Sequence, residues 1–428
     1  GSKNQDMIDH FYSQYLKRLK KLGFVDKNGN PDESLLSKDY HVPEAKIVES
    51  KINGKFVELK IELSDSLFSL KRYNVFVNDV PLFGAYGKSL DTLRMMPGDL
   101  SITEKIELTF GANKIEVSCM NEKGAESYRA LTMASYNPST PVRPDLYFIG
   151  FGVSKYIDPD IRQLGFADKD AKDLEIVYSN MKSQYANIYT KTYINEECTV
   201  ENIKKAKEFL KSAKPDDTFV LFIAGHGIHD TDKEATYYFV TYETKLDNLS
   251  QTAANFDIIE DIMQGIPPRN KLFLMDTCES GEIDDDIQAE YFTMADNRGI
   301  KSRAIETERA LKKKDDSTKK TTKRTYLFEK DRYIYNDLVR RSGAIVFSSC
   351  KGGELSYESE AVGNGFFTSK IIESLKGATA DTDKDGKVSI DELKNFVIAE
   401  VPKLADGKQN PTVDRDNIYQ KFGFVGVK

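Results

Sequence analysis

The chain has 428 residues, enough for two or three domains of ordinary size. Hydrophobic residues make up 39% of it, so conventional cores can form, and a net charge of −7 argues against a general nucleic-acid partner. No apolar run approaches the roughly 20 residues of a membrane span, so no membrane partner is expected either.

Four cysteines, Cys119, Cys198, Cys278 and Cys350, are too scattered for a disulfide framework or a zinc site. That usage suits a reducing compartment, and a cytoplasmic location is the expectation. The opening Gly1-Ser2 reads as a cloning remnant, so the native start is expected to lie elsewhere.

In chain order, residues 1–40 form an N-terminal helical segment, with Met7, Ile8, Phe11, Tyr12, Tyr15 and Leu16 near one face before "VDKNGNPDES" breaks the pattern. The period then changes to two. Val57, Leu59, Ile61 and Leu63 alternate with charged residues, "YNVFVNDVPL" carries a turn at Asn78-Asp79, and "KIELTFGANKIEVSCMNEKG" alternates on both sides of Gly111-Ala-Asn113. Short alternating strands predict an antiparallel β-sandwich over 41–140, with Cys119 facing its core. "SYNPSTPVRPD" is the linker.

From residue 145 to 428 near-continuous apolar strands alternate with amphipathic helices. The strands are "LYFIGFGVSKY", "NIYTKTYIN", "DTFVLFIAGHG", "KLFLMDTC", "AIVFSSC" and a last one in "YQKFGFVGV"; Thr199 caps the helix after "NIYTKTYIN". This grammar predicts an α/β fold with a mostly parallel sheet and helices on both faces. Residues 283–333 interrupt it as a charged insertion. From Lys301 to Arg324 ten Lys/Arg stand against four Asp/Glu, a local balance of +6.

Two strands end in unusual polar residues, Ala224-Gly225-His226-Gly227 and Asp276-Thr277-Cys278. Both ends lie on one side of a parallel sheet, where binding sites form. Cys with His is the minimal pair for thiol acyl transfer. The flanking glycines allow the backbone to bend and bring N–H groups to an oxyanion, with Gly227 and Cys278 as the expected donors. Asp276, two residues before the cysteine, opposes thiolate formation, unless its charge serves a substrate. As an alternative it caps a turn, and Asp170 is then a solvated helix residue.

"AGHG" with a downstream "DTCESG" resembles the clan CD cysteine peptidases. It is closer to metacaspases and bacterial caspase-like proteins, with their "HG…DSCHSG", than to animal caspases with "QACRG". "ADKDAKDLE" (167–175) resembles the family's first-helix motif, "FSSCKGGELSYE" (347–358) a loop shaping its cleft, and "KQNP" (408–411) a C-terminal feature. The preceding sandwich resembles the immunoglobulin-like module of such bacterial proteins, many of which also carry a WD40 propeller as an upstream sensor. Glu279 departs from the histidine usual in metacaspases. His226 and Cys278 are 52 positions apart, near the roughly 50 of caspases.

The resemblance implies a cysteine endopeptidase acting on protein substrates through Cys278 and His226. It implies an S1 pocket built on Asp170 and Asp276 that accepts Lys or Arg, with Ser348 or Ser349 as wall. It also implies self-processing in the basic linker, within 298–332, at sites such as Arg303, Arg309, Lys314, Lys320 and Arg324. An Asp-specific peptidase and a catalytically silent scaffold of the same fold are the alternatives.

"DTDKDGKVSIDE" (381–392) matches a calcium loop, with Asp381, Asp383, Asp385, the Lys387 carbonyl and Glu392 as ligands. Ser389 and Glu392 are equally a capping box that needs no metal, and Gly377-Ala-Thr-Ala380 breaks the helix before the loop. Metacaspases often bind activating calcium just after the nucleophile, which makes Asp284-Asp285-Asp286 a second candidate. No other cofactor is expected.

Overall fold

The computed structural model describes residues 12, 15–16, 19–20, 24–35, 41–90, 98–140, 143–230, 236–278, 300–303, 305, 342–351, 354–414 and 421–427. The chain divides into two compact units: residues 1–142 together with 264–267 and 341–343, and the remainder. Of the predicted N-terminal helix, Tyr12, Tyr15, Leu16, Leu19 and Lys20 are described, and all are helical. No described helix is long and apolar enough to cross a membrane.

The first unit holds two antiparallel sheets. One contains β1 (Glu44–Asn53), β2 (Phe56–Asp65) and β6 (Gly98–Glu107). The other orders β4 (Val80–Pro81), β3 (Leu70–Val77), β7 (Gly111–Asn121) and β8 (Ala130–Tyr136), with β5 (Lys88–Ser89) on β3. Their apolar faces share one core. Val57, Leu59, Ile61 and Leu63, the alternating set of the sequence, meet Val75, Val77, Ile115, Val117 and Cys119 there. Asn78 and Asp79 take positive φ, 51° and 67°, and join β3 to β4 by the two-residue turn that right-handed strand twist favours.

The second unit is built on a six-stranded sheet ordered β10 (Ile188–Ile194), β9 (Leu146–Gly152), β11 (Thr218–Gly225), β15 (Asn270–Thr277), β17 (Ile345–Ser348), β21 (Thr412–Asp414). The first five strands are parallel and β21 is antiparallel to β17. β9, β11 and β17 are buried at every position, as continuous apolar runs require when both faces are covered. α1 (Ala167–Ser179) packs on β9, β10 and β11 and touches α4 (Phe366–Leu375), which packs on α5 (Ile390–Leu404). α2 (Val200–Ala206) and α3 (Phe256–Met263) pack together as a separate group. Thr199 caps α2, its side chain accepting from the Asn202 N–H.

The chain-ending apolar run does not join this sheet, contrary to the sequence expectation. β22 (Gly423–Val425) instead pairs with β20 (Lys387–Ser389), and the edge place falls to Thr412–Asp414. Phe424 is buried against Tyr178, ring centroids 5.3 Å apart, so its apolar signal serves packing against α1. Two small antiparallel sheets complete the unit. One is β12 (Gly227–His229), β13 (Tyr237–Phe239) and β14 (Ala254–Asn255); the other is β16 (Ile300–Ser302), β18 (Tyr357–Ser359) and β19 (Asn364–Gly365).

Candidate active site

β11 and β15 run parallel in a register that pairs Ala224 with Asp276 and Gly225 with Thr277. The next residues along each strand are His226 and Cys278, so the 52-position spacing is the register offset itself. Gly225 has φ +149°, and a side chain there would meet the Tyr156 hydroxyl. A side chain at Gly227 would collide with the Tyr237 hydroxyl and the Cys278 carbonyl. Both glycines therefore permit a close approach between the two strand ends.

His226 is fully buried. Its backbone N–H donates to the Tyr156 hydroxyl at 3.1 Å, that hydroxyl donates to the Val153 carbonyl at 2.8 Å, and the two rings lie 5.1 Å apart. Nε2 lies 2.7 Å from the Arg162 carbonyl and Nδ1 2.7 Å from the Arg303 carbonyl. Carbonyl oxygens only accept, so satisfying both at once takes the imidazolium form. Burial dominates and leaves the imidazole pKa lowered, the two carbonyls offsetting only part of that fall.

Cys278 is equally buried, and its Sγ accepts the Ser356 N–H at 3.0 Å. Burial pushes the thiol up to about 12. The Ser356 N–H, the Arg303 cation and the Arg303 N–H act against that rise, and Asp276 adds to it. Cys278 and His226 share no direct hydrogen bond among the described contacts; they meet at Arg303.

Arg303 is the largest fully buried side chain among the described residues. Its Nη1 lies 3.0 Å from Asp276 Oδ2 and donates to the Asp276 carbonyl at 3.0 Å. Nη2 pairs with Asp170 and lies 3.3 Å from Glu358 Oε2. Burial would lower the pKa of this guanidinium, but Asp276, Asp170 and Glu358 together raise it. Asp170 sits in the first turn of α1 and is pushed up to about 6 by burial, with Arg303 opposing and Asp276 adding.

The acids have further support. Asp276 accepts the Ser356 hydroxyl at 2.7 Å, and the Thr368 hydroxyl and N–H at 2.6 and 3.2 Å. Gly365 donates its N–H to Asp170 at 3.1 Å. The positive end of α4 thus faces both carboxylates. A side chain at Gly365 would come 2.6 Å from Asp276 Oδ2 and 2.7 Å from Arg303 Nη2, so glycine closes the pocket floor. Glu358 is held by the Gly165 N–H at 2.6 Å and the Phe166 N–H at 3.3 Å.

Arg303 arrives as the continuation of a strand. β16 pairs antiparallel with β18, Ile300 opposite Ser359, Lys301 opposite Glu358 and Ser302 opposite Tyr357, and the Arg303 N–H donates to the Ser356 carbonyl at 2.8 Å. This is the pose of an extended peptide added to a sheet edge.

The sequence-derived site is therefore partly reassigned. Asp170, Asp276, His226 and Cys278 converge. Ser348 and Ser349 are not polar partners of the guanidinium: Ser348 Oγ donates to the Cys350 carbonyl and Ser349 Oγ to the Thr277 carbonyl, bracing strand ends. The third wall is Glu358, which "FSSCKGGELSYE" contains but whose inward direction only β18 reveals. Arg162 contributes a main-chain carbonyl and so has no sequence signature. Gln409 of "KQNP" donates to the Ser349 carbonyl at 3.0 Å and accepts the Tyr357 N–H at 3.1 Å, holding the start of β18. The expected oxyanion donors, the Gly227 and Cys278 N–H groups, do not reach the Arg303 carbonyl, which His226 holds instead.

Of the linker sites, Arg303 is described; Arg309, Lys314, Lys320 and Arg324 lie outside the described residues, as do Glu279 and Asp284-Asp285-Asp286. In the calcium-type loop, ligand oxygens of Asp381, Asp383 and Asp385 lie within 4.8 Å of one another. Glu392 already forms the capping box with Ser389 and accepts the Thr382 N–H at 2.7 Å. Burial raises its pKa, and the Ser389 and Thr382 donors together outweigh that and bring it down to about 2. The helix before the loop ends at Leu375, as the glycine break implies.

A family model described as the caspase domain, Peptidase C14, matches residues 150–422. A search of curated proteins finds no match. Among solved structures the chain is similar to the protein GSU0716 from Geobacter sulfurreducens, at 18% identity over 63% of this chain and 93% of that one, with a TM-score of 0.41. It is also similar to caspase-1 from Spodoptera frugiperda, at 14% identity over 66% and 94%, with a TM-score of 0.36. A third is the Drosophila initiator caspase Dronc, at 10% identity over 64% and 81%, with a TM-score of 0.35. On the family match, which spans more than half its length, this chain belongs to the caspase-domain peptidase family.

Proposed function

We propose that the protein is a cysteine endopeptidase that cuts after arginine, and that its first substrate is its own Arg303–Ala304 bond. The observation that carries this reading is the seating of Arg303: cation in a ring of three carboxylates, carbonyl on His226, backbone N–H on the Ser356 carbonyl. Cys278 Sγ attacks the Arg303 carbonyl carbon, a C–S bond forms, and the C–N bond to Ala304 breaks. The thiol proton passes to the neutral imidazole of His226 as the C–S bond forms, and the imidazolium so made gives that proton to the leaving amine. Water then hydrolyses the thioester with His226 as base.

The guanidinium spreads its donors over two terminal nitrogens, which suits three separate acids. A lysine offers one point charge to the same ring, so arginine is the better substrate and lysine the lesser one. An aspartate there would add a fourth carboxylate, so Asp specificity has no support in this pocket. A silent scaffold would have no need of a self-strand laid across the dyad. The first unit is read as an immunoglobulin-like module that links the peptidase, at 145–428, to an upstream sensor, and calcium as a ligand of the 381–392 loop.

Incubation of the wild-type chain, followed by intact mass and N-terminal sequencing, tests the reading. The new N-terminus is Ala304, and both Cys278→Ala and Asp276→Ala abolish it. Cuts that persist in Cys278→Ala, or that follow only Asp or Glu, overturn it.

A further inference from the structure

In the seated strand, Ser302 precedes Arg303 and is only 1% exposed. Among the described residues its hydroxyl oxygen is buried without a hydrogen-bond partner. Lys301 and Ile300, one step further back, are half-buried. Consecutive strand residues point to opposite faces, so the wall around Ser302 is not the acidic wall around Arg303. We propose that the cleft reads two positions: arginine at the cut residue and, in a closed apolar subsite before it, a residue no larger than alanine or serine. The inference rests on the peptidase reading above and narrows its substrate class to small-residue–Arg sequences.

The size limit follows from packing. A space sealed around a two-atom side chain admits a longer one only by displacing its walls, and folded interiors resist that. The polarity follows from the orphaned hydroxyl, which loses its water and gains no partner; alanine should serve at least as well. The basic linker offers an independent check. Arg309, Lys314, Lys320 and Arg324 follow Glu308, Lys313, Lys319 and Lys323, whereas Arg303 alone among these five follows a small residue. The same rule that describes the subsite thus selects the seated arginine from its neighbours.

Two arms on the full-length chain test this. In the first, Ser302→Ala, Ser302→Leu and Ser302→Phe are followed for appearance of the Ala304 N-terminus. Alanine keeps the wild-type rate or exceeds it, while leucine and phenylalanine slow it at least tenfold. In the second, acyloxymethyl ketones ending in Ala-Arg, Leu-Arg and Phe-Arg compete for Cys278 in Arg303→Ala, whose own strand no longer fills the acidic pocket. The Ala-Arg probe labels at least tenfold faster. Self-cleavage of Ser302→Phe at the wild-type rate, or equal labelling by the three probes, overturns the subsite while leaving the peptidase reading intact. No self-cleavage together with no labelling by any probe overturns the peptidase reading, and this inference with it.

Discussion

Asp276 lies two residues from a cysteine whose thiolate it disfavours, yet burial does more than Asp276 to raise that thiol. The acid's own contacts explain its presence: it takes one side of the Arg303 fork and is supported by Ser356 and Thr368. Removing one partner from a buried ion pair costs about 3–5 kcal/mol, two orders of magnitude or more in kcat/KM. Glu358→Gln should therefore lower kcat/KM for Arg substrates by that order, mostly through KM, in a fluorogenic peptide assay; an unchanged KM would remove Glu358 from the pocket. The pH dependence has a definite sign. Asp170 is held at about 6 with Arg303 in place, and that cation lowers it, so an emptied pocket titrates higher still. Cation binding needs the ionised acid. KM for an Arg peptide should therefore start to rise above pH 6, as pH falls through the higher value of the empty pocket, and level off below about 6; Asp170→Asn should flatten that rise.

At the scale of elements, β16 and β18 decide what fills the cleft. Strand pairing holds Ile300–Ser302 in place independently of the Arg303–Ala304 bond, so cutting that bond leaves the new Arg303 carboxylate end seated. Hydrolysis of an added Arg peptide must displace it. Arg303→Ala should lower KM for such a peptide about tenfold or more with kcat little changed, because an intramolecular competitor acts at an effective concentration on the order of millimolar. Equal KM values in variant and wild type would show that the strand does not compete. The capping box of α5 sets a second expectation. Glu392 is held at about 2 in the fold against about 4.3 unfolded, so its contribution is complete above about pH 4.3 and lost as pH falls towards 2. Glu392→Gln should lower Tm at neutral pH, with the gap to wild type closing below about pH 4. Calcium, if it binds the 381–392 loop, must win Glu392 oxygens from the Thr382 and Ser389 donors. A rise in Tm with calcium that disappears in Asp381→Ala with Asp383→Ala would place it there, and identical curves with calcium and with chelator would leave the capping box as the loop's whole role.

Over the whole molecule, the proposed Arg303–Ala304 cut would fall between strands that are neighbours in one sheet. β15 lies before Arg303 and β17 after it, paired in one sheet with β21 on the far side of β17. The acids are divided likewise, Asp170 and Asp276 before the bond and Glu358 after it. The two fragments should therefore elute as one species from a sizing column in native buffer and separate in denaturant; separation without denaturant would contradict the shared sheet.

The sequence by itself determined a good deal here. Period-two alternation named Val57, Leu59, Ile61, Leu63 and Cys119 of the first unit's core, Asn78-Asp79 named its turn, and apolar runs ending in "AGHG" and "DTC" placed His226 and Cys278 at one end of a parallel sheet. Ser389 and Glu392 declared their capping box. These features are local, and pattern and propensity suffice for them. Tertiary structure decided the rest. Whether Ser348, Ser349 or Glu358 lines the pocket depends on the direction of β18, whose first residue Gln409 holds, and the Arg162 carbonyl is a main-chain group that any residue carries. The sheet edge went to Thr412–Asp414, while Phe424 packs on Tyr178. Above all, a +6 linker looks like solvated surface in composition, yet one of its arginines is fully buried, since only the assembled fold brings three carboxylates and a histidine to the same few ångströms.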